Sequence, residues 1–175
     1  MILGMVFGSL GLLTLGSLSA RADLVVFDSF GPAHAYNCCT GATVGLGITE
    51  GDQFSPSATG ELSNFDVALS EGSCCLTHIV DLSLFDDTGG SPGTLIESYT
   101  AMVTATFGTC CSVLTIPSVN HPLLIAGAEY WLIASSANNL LIAWNSNSIG
   151  RYDSEVRQFN SNRSVPGRYG RLSRR

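Results

Sequence analysis

From Leu76 the chain alternates Leu76-x-His78-x-Val80-x-Leu82-x-Leu84, with Thr77, Asp81 and Ser83 among the intervening positions. Successive side chains of a strand point to opposite faces, so this run predicts a strand half-buried in a sheet. A helix would instead need apolar residues recurring at three and four positions, and no stretch beyond the N-terminal leader shows that spacing. The pattern predicts further strands at Leu24 to Phe27, Ala42 to Leu46, Leu62 to Leu69, Thr94 to Val103, Val113 to Ile116, Glu129 to Ala134 and Leu140 to Trp144. Asp86-Asp87-Thr88-Gly89-Gly90-Ser91-Pro92-Gly93 is dense in residues that accept positive φ or preset a turn, which makes the strands on either side a hairpin. Gly127 marks a second turn before Glu129-Tyr130-Trp131-Leu132.

About eight short strands leave no room for crossover helices. The fold class expected is all-β, an antiparallel two-sheet β-sandwich of jelly-roll type, with a closed barrel as the runner-up. The composition agrees: 45% of residues are hydrophobic, only 13% are charged and 19 are glycine, which suits strands and tight turns. After removal of a leader, roughly 150 residues remain, enough for one ordinary core.

The leader is expected at residues 1–22, as a secretory signal peptide. An apolar run from Val6 to Leu18 is followed by Ser19-Ala20-Arg21-Ala22, whose Ala20-x-Ala22 is a small-residue cleavage pattern. About 13 apolar residues are too few to span a bilayer comfortably, and no later stretch is long and apolar enough to do so. The mature chain would begin at Asp23. No Lys or Arg precedes the apolar run, which leaves open an upstream start codon or a weak signal.

Charge divides the rest. The formal net charge is −6, becoming −7 once Arg21 leaves with the leader. Asp23 to Gly150 carries twelve acidic residues and no Lys or Arg, whereas all seven remaining arginines lie between Arg151 and Arg175. Nucleic-acid affinity rests on cationic side chains that displace counterions, so the body is expected not to bind nucleic acid. The expected organisation is a sandwich domain over 23–150 and an Arg-rich irregular tail over 151–175. That tail is open to two readings, a frameshifted or truncated gene and a genuine basic segment for acidic polymers or lipid head groups.

Three segments carry a resemblance: Leu24-Val25-Val26-Phe27-Asp28-Ser29-Phe30-Gly31, then Leu82-Ser83-Leu84-Phe85-Asp86-Asp87-Thr88-Gly89-Gly90-Ser91-Pro92-Gly93-Thr94-Leu95, then Ala126-Gly127-Ala128-Glu129-Tyr130-Trp131-Leu132. In this order they resemble the choice-of-anchor R family of bacterial exported domains, over roughly Asp23 to Gly150. The resemblance implies a secreted β-sandwich of unknown ligand, usually followed by a sorting signal of the PEP-CTERM type. Here Val165-Pro166 leads into Gly167-Arg168-Tyr169-Gly170-Arg171-Leu172-Ser173-Arg174-Arg175 with no apolar helix, so that signal is missing.

Six cysteines form three adjacent doublets, Cys38-Cys39, Cys74-Cys75 and Cys110-Cys111, spaced 36 residues apart each time. In an exported chain an even count reads first as disulfides. Each doublet immediately precedes a predicted strand, so all three are expected at one pole of the sandwich. Adjacent cysteines strain the peptide link when bonded to each other, which favours bridges between doublets. Free thiols are the alternative. A zinc site would need ligands two to four residues apart, a spacing absent here.

Catalytic signals are weak. Gly89-Gly90-Ser91-Pro92-Gly93 fits the G-x-S-x-G pattern, but Pro92 has no N–H to give an oxyanion and a hairpin replaces the strand-to-helix elbow. His34, His78 and His121 are scattered, and His78 reads as a satisfied, partly buried ring. The chain is therefore expected not to be an enzyme and to need no cofactor. Asp81, Asp86 and Asp87 are weak calcium candidates at the hairpin. Trp131, Trp144 and Tyr152, together with Tyr130, could form an aromatic platform for sugar rings, although strand aromatics more often belong to the core. Asn162-Arg163-Ser164 is a formal glycosylation sequon that carries little weight in a chain expected to be bacterial, within a tail open to two readings. The expected role is structural or interactive in the bacterial envelope or extracellular matrix, with exopolysaccharide binding as the alternative.

Overall fold

In a computed structural model the described residues are 27–30, 35–72, 76–109 and 112–147, with the backbone of two further strands at 155–159 and 170–171. They contain no helix. Among the described residues thirteen strands, several of them only two to four residues long, are present: β1 (Tyr36–Val44), β2 (Ile48–Phe54), β3 (Gly60–Glu61), β4 (Asn64–Val67), β5 (Leu69–Glu71), β6 (His78–Asp87), β7 (Pro92–Val103), β8 (Leu114–Pro117), β9 (Leu123–Leu124), β10 (Tyr130–Ser136), β11 (Ile142–Asn147), β12 (Glu155–Phe159) and β13 (Gly170–Arg171). All the pairings between these strands are antiparallel.

The alternating run becomes β6 and buries the side it was expected to bury. His78, Val80, Leu82 and Leu84 are fully enclosed, while Ile79, Asp81 and Ser83 stay partly exposed on the other side. Burial of each aliphatic side chain contributes about 1.5–3 kcal/mol relative to exposure. β6 pairs with β7 along its whole length, from His78 opposite Val103 to Asp87 opposite Pro92. The turn between them holds Gly89 and Gly90 at φ of 66° and 80°, the left-handed region that a side chain would resist. Gly127, at φ of 74°, makes the expected turn before β10.

Six strands form the larger sheet in the order β13-β12-β2-β10-β6-β7, and three form a second sheet in the order β1-β11-β5. Two short pairs, β3 with β9 and β4 with β8, complete the described sheets. Val80, Leu82, Leu84, Leu132 and Ala134 of the larger sheet share one apolar cluster with Val44, Leu69 and Ile142 of the smaller. Val67, Ile116, Leu62 and Leu124 fill the same cluster from the short pairs and their connections.

Two differences from expectation have physical causes. β2 lies inside the larger sheet, between β12 and β10, yet its sequence Ile-Thr-Glu-Gly-Asp-Gln-Phe has no apolar alternation to reveal it. Glu50, Gly51 and Gln53 are buried there in place of aliphatic residues. The second difference is the boundary at Gly150. The stretch 151–175, expected to be irregular, contains β12, which pairs with β2 from Glu155 opposite Asp52 to Phe159 opposite Ile48, and β13 beyond it. A change in side-chain charge set the expected boundary, but backbone N–H and C=O groups do the pairing and are indifferent to that charge. The leader at 1–22, the expected strand residues Leu24 to Val26, and Tyr152 lie outside the described residues.

Candidate functional site

The most connected polar group on the larger sheet sits where β6 turns into β7. β10 brings Trp131 opposite Phe85 of β6 and opposite Gln53 of β2. From these positions the Trp131 Nε1–H donates to Asp87 Oδ1 at 2.7 Å, and Gln53 Nε2 donates to the same oxygen at 3.1 Å. The Gly90 amide donates to Asp87 Oδ2 at 2.9 Å, made possible by the positive-φ turn. Gln53 Nε2 also donates to Glu129 Oε2 at 2.7 Å. Partial burial pushes the Asp87 carboxyl up, but the donors from Gly90, Trp131, Gln53 and Gly89 outweigh it and hold the group below the ordinary carboxylate range. The assembly ties the β6–β7 turn to β10 and β2.

Asp86, next along, accepts from the Thr94 amide across the hairpin. Asp81 lies five residues up β6, roughly 16 Å away at 3.3 Å per residue, where it accepts from Thr100 Oγ1 at 2.6 Å. The structure therefore does not bring Asp81, Asp86 and Asp87 together as calcium ligands. Among the described residues no group of three or more His, Cys, Asp or Glu side chains is gathered for a metal ion.

The candidate aromatic platform is dispersed as well. Trp131 is 1% exposed, so its ring faces protein. Trp144 stands in the other sheet, on β11 opposite Ala42 and Leu69, half-buried against the apolar cluster. Tyr130 is buried, accepts from the Ile125 amide at 2.9 Å and packs 5.8 Å from the ring of Phe54. Of the sugar-binding candidates among the described residues, only Trp144 keeps a partly accessible face.

His78 is completely enclosed, with Nδ1 donating to the Leu76 carbonyl at 3.1 Å and lying 3.6 Å from Glu71 Oε2. That is the satisfied ring expected from its place on β6. His121 has φ of 47° and donates from Nδ1 to the Leu62 carbonyl at 3.1 Å. His34 lies outside the described residues. Ser91 of the G-x-S-x-G match ends a turn between two strands, since β7 begins at Pro92.

At the opposite end of β6, Cys38 and Cys39 interrupt β1. The pairing of β1 with β11 slips between Asn37 and Gly41, which frees the doublet from the alternation of a regular strand. Their sulfurs lie 3.7 Å apart as thiols. The hydrogen bond with Cys38 and the charge Cys38 would carry both push the Cys39 thiol up. Cys74, Cys75, Cys110 and Cys111 lie outside the described residues.

One buried carboxylate escaped sequence reasoning. Glu97, on β7, is 4% exposed and faces the core opposite Leu84. Ser118 Oγ donates to its Oε2 at 2.7 Å, and the amides of Val119 and Asn120 donate to its Oε1 at 2.7 and 3.0 Å. Ser118 Oγ in turn accepts from the His121 amide at 3.0 Å. Burial pushes the Glu97 carboxyl up, but the surrounding donors from Tyr99, Asn120, Ser118 and Val119 more than offset it and hold it below the ordinary range. Burial, and then the neighbouring carboxylate, push the Tyr99 phenol well up. The signal was available: Glu97 shares its parity with Tyr99, Ala101 and Val103, the inward side of the predicted strand.

Comparison with protein-family models, with curated proteins and with solved structures returns no match. The class that can be stated is an all-β protein of antiparallel sheets.

Proposed function

We propose that the chain is a non-catalytic, exported β-sandwich of jelly-roll type, with a structural or interaction role at the bacterial cell surface or in the extracellular matrix. The observation that carries this reading is how the strongest acceptors are used. Asp87 and Glu97 take at least three donors each from the fold itself, and each ties a turn or loop to a strand. His78, whose Nδ1 lies 3.6 Å from Glu71 Oε2, is sealed from solvent. A catalytic acid or base must instead reach a substrate proton. The acidic body, Asp23 to Gly150, is a poor match for nucleic acid. No helix among the described residues is long and apolar enough to cross a membrane. Secretion, periplasmic residence and surface attachment are the compartments compatible with export.

Export is tested by expressing the full chain in a Gram-negative host and sequencing the N-terminus of protein from the periplasm and medium. A mature start at Asp23 is expected; protein confined to the cytoplasm with residues 1–22 intact would overturn the exported reading.

Exopolysaccharide binding is the second reading, favoured by the partly accessible Trp144 on β11. Purified protein is incubated with insoluble cellulose, chitin and calcium alginate beads, and the retained fraction is measured. The structural reading expects retention no greater than that of serum albumin. Saturable retention that falls at least tenfold in Trp144→Ala would replace it with the second.

A further inference from the structure

Cys38 and Cys39 are adjacent residues of β1, yet their sulfurs lie only 3.7 Å apart. In a regular strand successive side chains leave from opposite faces, which keeps neighbouring sulfurs apart. The pairing of β1 with β11 shows how the doublet escapes that rule. Asn37 stands opposite Ser146 and Gly41 opposite Asn145, so the ladder steps one residue along β11 while Cys38, Cys39 and Thr40 are opposed by none. The extruded stretch is nevertheless pinned. The Gly108 amide donates to the Cys38 carbonyl at 2.9 Å, and the Cys39 amide donates to the Asn37 side-chain oxygen at 3.1 Å. Gly41 then rejoins the ladder so close to the Trp144 carbonyl that a Cβ would have no space. Cys38 is half-buried and Cys39 exposed, so the backbone holds the pair while solvent reaches it.

The separation of the sulfurs is the span of two thiolates on one atom. Sulfurs each about 2.3 Å from a tetrahedral centre lie roughly 3.8 Å from one another. The surroundings limit what that centre can be. Zinc takes three or four protein ligands, and among the described residues no group of three or more His, Cys, Asp or Glu side chains is gathered. A centre content with two protein sulfurs fits instead. Thiolates favour soft acceptors, and trivalent arsenic is a soft acceptor that completes its third bond with an oxygen or carbon of its own.

We propose that Cys38 and Cys39 form a two-thiol clamp for a thiophilic centre of the trivalent-arsenic class. With phenylarsine oxide the bonds from arsenic to oxygen break, two As–S bonds form, and the oxygen leaves as water with both thiol protons. Arsenic stays trivalent and no oxidant is consumed. The hydrogen bond with Cys38 and its charge push the Cys39 thiol up, and no Lys or Arg lies between Asp23 and Gly150 to draw it down. A reagent that needs one thiolate is slowed by this, whereas the exchange at arsenic carries the protons off on oxygen. The clamp goes beyond the structural reading of the chain and is independent of export, since it concerns the doublet in its reduced state.

The full chain, kept reduced with a phosphine, is titrated with phenylarsine oxide, pulsed with N-ethylmaleimide, digested and mapped by mass spectrometry. Trypsin would leave all six cysteines in one peptide, whereas cleavage at carboxylate residues separates the first doublet from the others at Glu50 to Glu71. Cys38 and Cys39 are expected to be protected together by one arsenical, and 2,3-dimercaptopropanol should restore their labelling. Cys38→Ser and Cys39→Ser should each weaken capture at this doublet by about a hundredfold or more, the loss expected when a second tethered ligand is removed. The same titration in urea separates a built clamp from two thiols that merely share a chain: half-protection of Cys38 and Cys39 should need about tenfold more arsenical once the pinned stretch is released. Half-protection at equal concentrations in folded and unfolded protein, one arsenical on each sulfur, or undiminished capture by either single variant would overturn the proposal. A C74S/C75S/C110S/C111S variant that still protects Cys38 and Cys39 supports it, and the mapped parent chain decides the matter if that variant does not fold. None of these outcomes bears on whether the leader is cleaved.

Discussion

Glu97→Ala is expected to lower unfolding free energy by about 3–5 kcal/mol, read as a shift of the urea midpoint at neutral pH. The substitution removes the acceptor for the Ser118 hydroxyl and the Val119 and Asn120 amides, all within 3.0 Å of the carboxylate. Each buried donor left without a partner costs about 1–3 kcal/mol, reduced where water can enter. Val119 is 78% exposed, so water will reach part of the loop but not Ser118, which is 5% exposed. Glu97→Gln keeps one carbonyl oxygen for the two amides and should lose less than half as much. Equal losses in both variants would show that negative charge, and not acceptor geometry, holds the loop.

The same carboxylate gives the protein an acid limb. Glu97 has its pKa lowered in the folded state, so its contribution is fully present above the unfolded carboxylate value of about 4.3. It is lost as pH falls through the lower folded value. Asp87 is shifted in the same direction and adds to the same limb. Glu97→Gln should therefore flatten the decline in stability below about pH 4.5, and a wild-type slope in that variant would refute the assignment.

How far such features could be read in advance depended on whether burial was achieved with apolar side chains. The β6–β7 hairpin was legible twice over, from Val80, Leu82 and Leu84 on one parity and from the glycines at 89 and 90. β2 was not, because it buries Glu50, Gly51 and Gln53 in the middle of a sheet and exposes Asp52 between them. Polar burial is silent in a hydrophobic pattern and becomes visible only when partners such as Glu129 and Asp87 are in place. β12 was hidden by its charge, since an arginine-rich stretch reads as solvated tail whether or not its backbone completes a sheet. At the hairpin the acidic residues were seen and their use misjudged. Spacing put Asp81, Asp86 and Asp87 within one sequence window, but a strand stretches five residues over about 16 Å and leaves only neighbours able to cooperate.

Trp131 separates a core role from a binding role more sharply than any other residue. Trp131→Ala should cost about 3–5 kcal/mol, the range for deleting a fully buried aromatic ring, and should leave Asp87 without its shortest donor. Trp131→Phe keeps most of the packing and removes only the 2.7 Å bond, for which a loss of about 1.5–3 kcal/mol is expected because the acceptor is charged. With one donor fewer, the Asp87 carboxyl should also rise towards the ordinary range, which weakens the acid limb without abolishing it, since Gly90 and Gln53 still donate. Equilibrium urea unfolding at pH 7 and pH 4 measures both effects: the difference between Trp131→Phe and wild type should be larger at pH 7, where Asp87 is ionised in both. A sugar platform makes the opposite forecast. If Trp131→Phe left both unfolding curves unchanged yet abolished retention on cellulose or chitin, the indole would be a ligand-facing ring, and the hairpin network would have to be reassigned from scaffold to site.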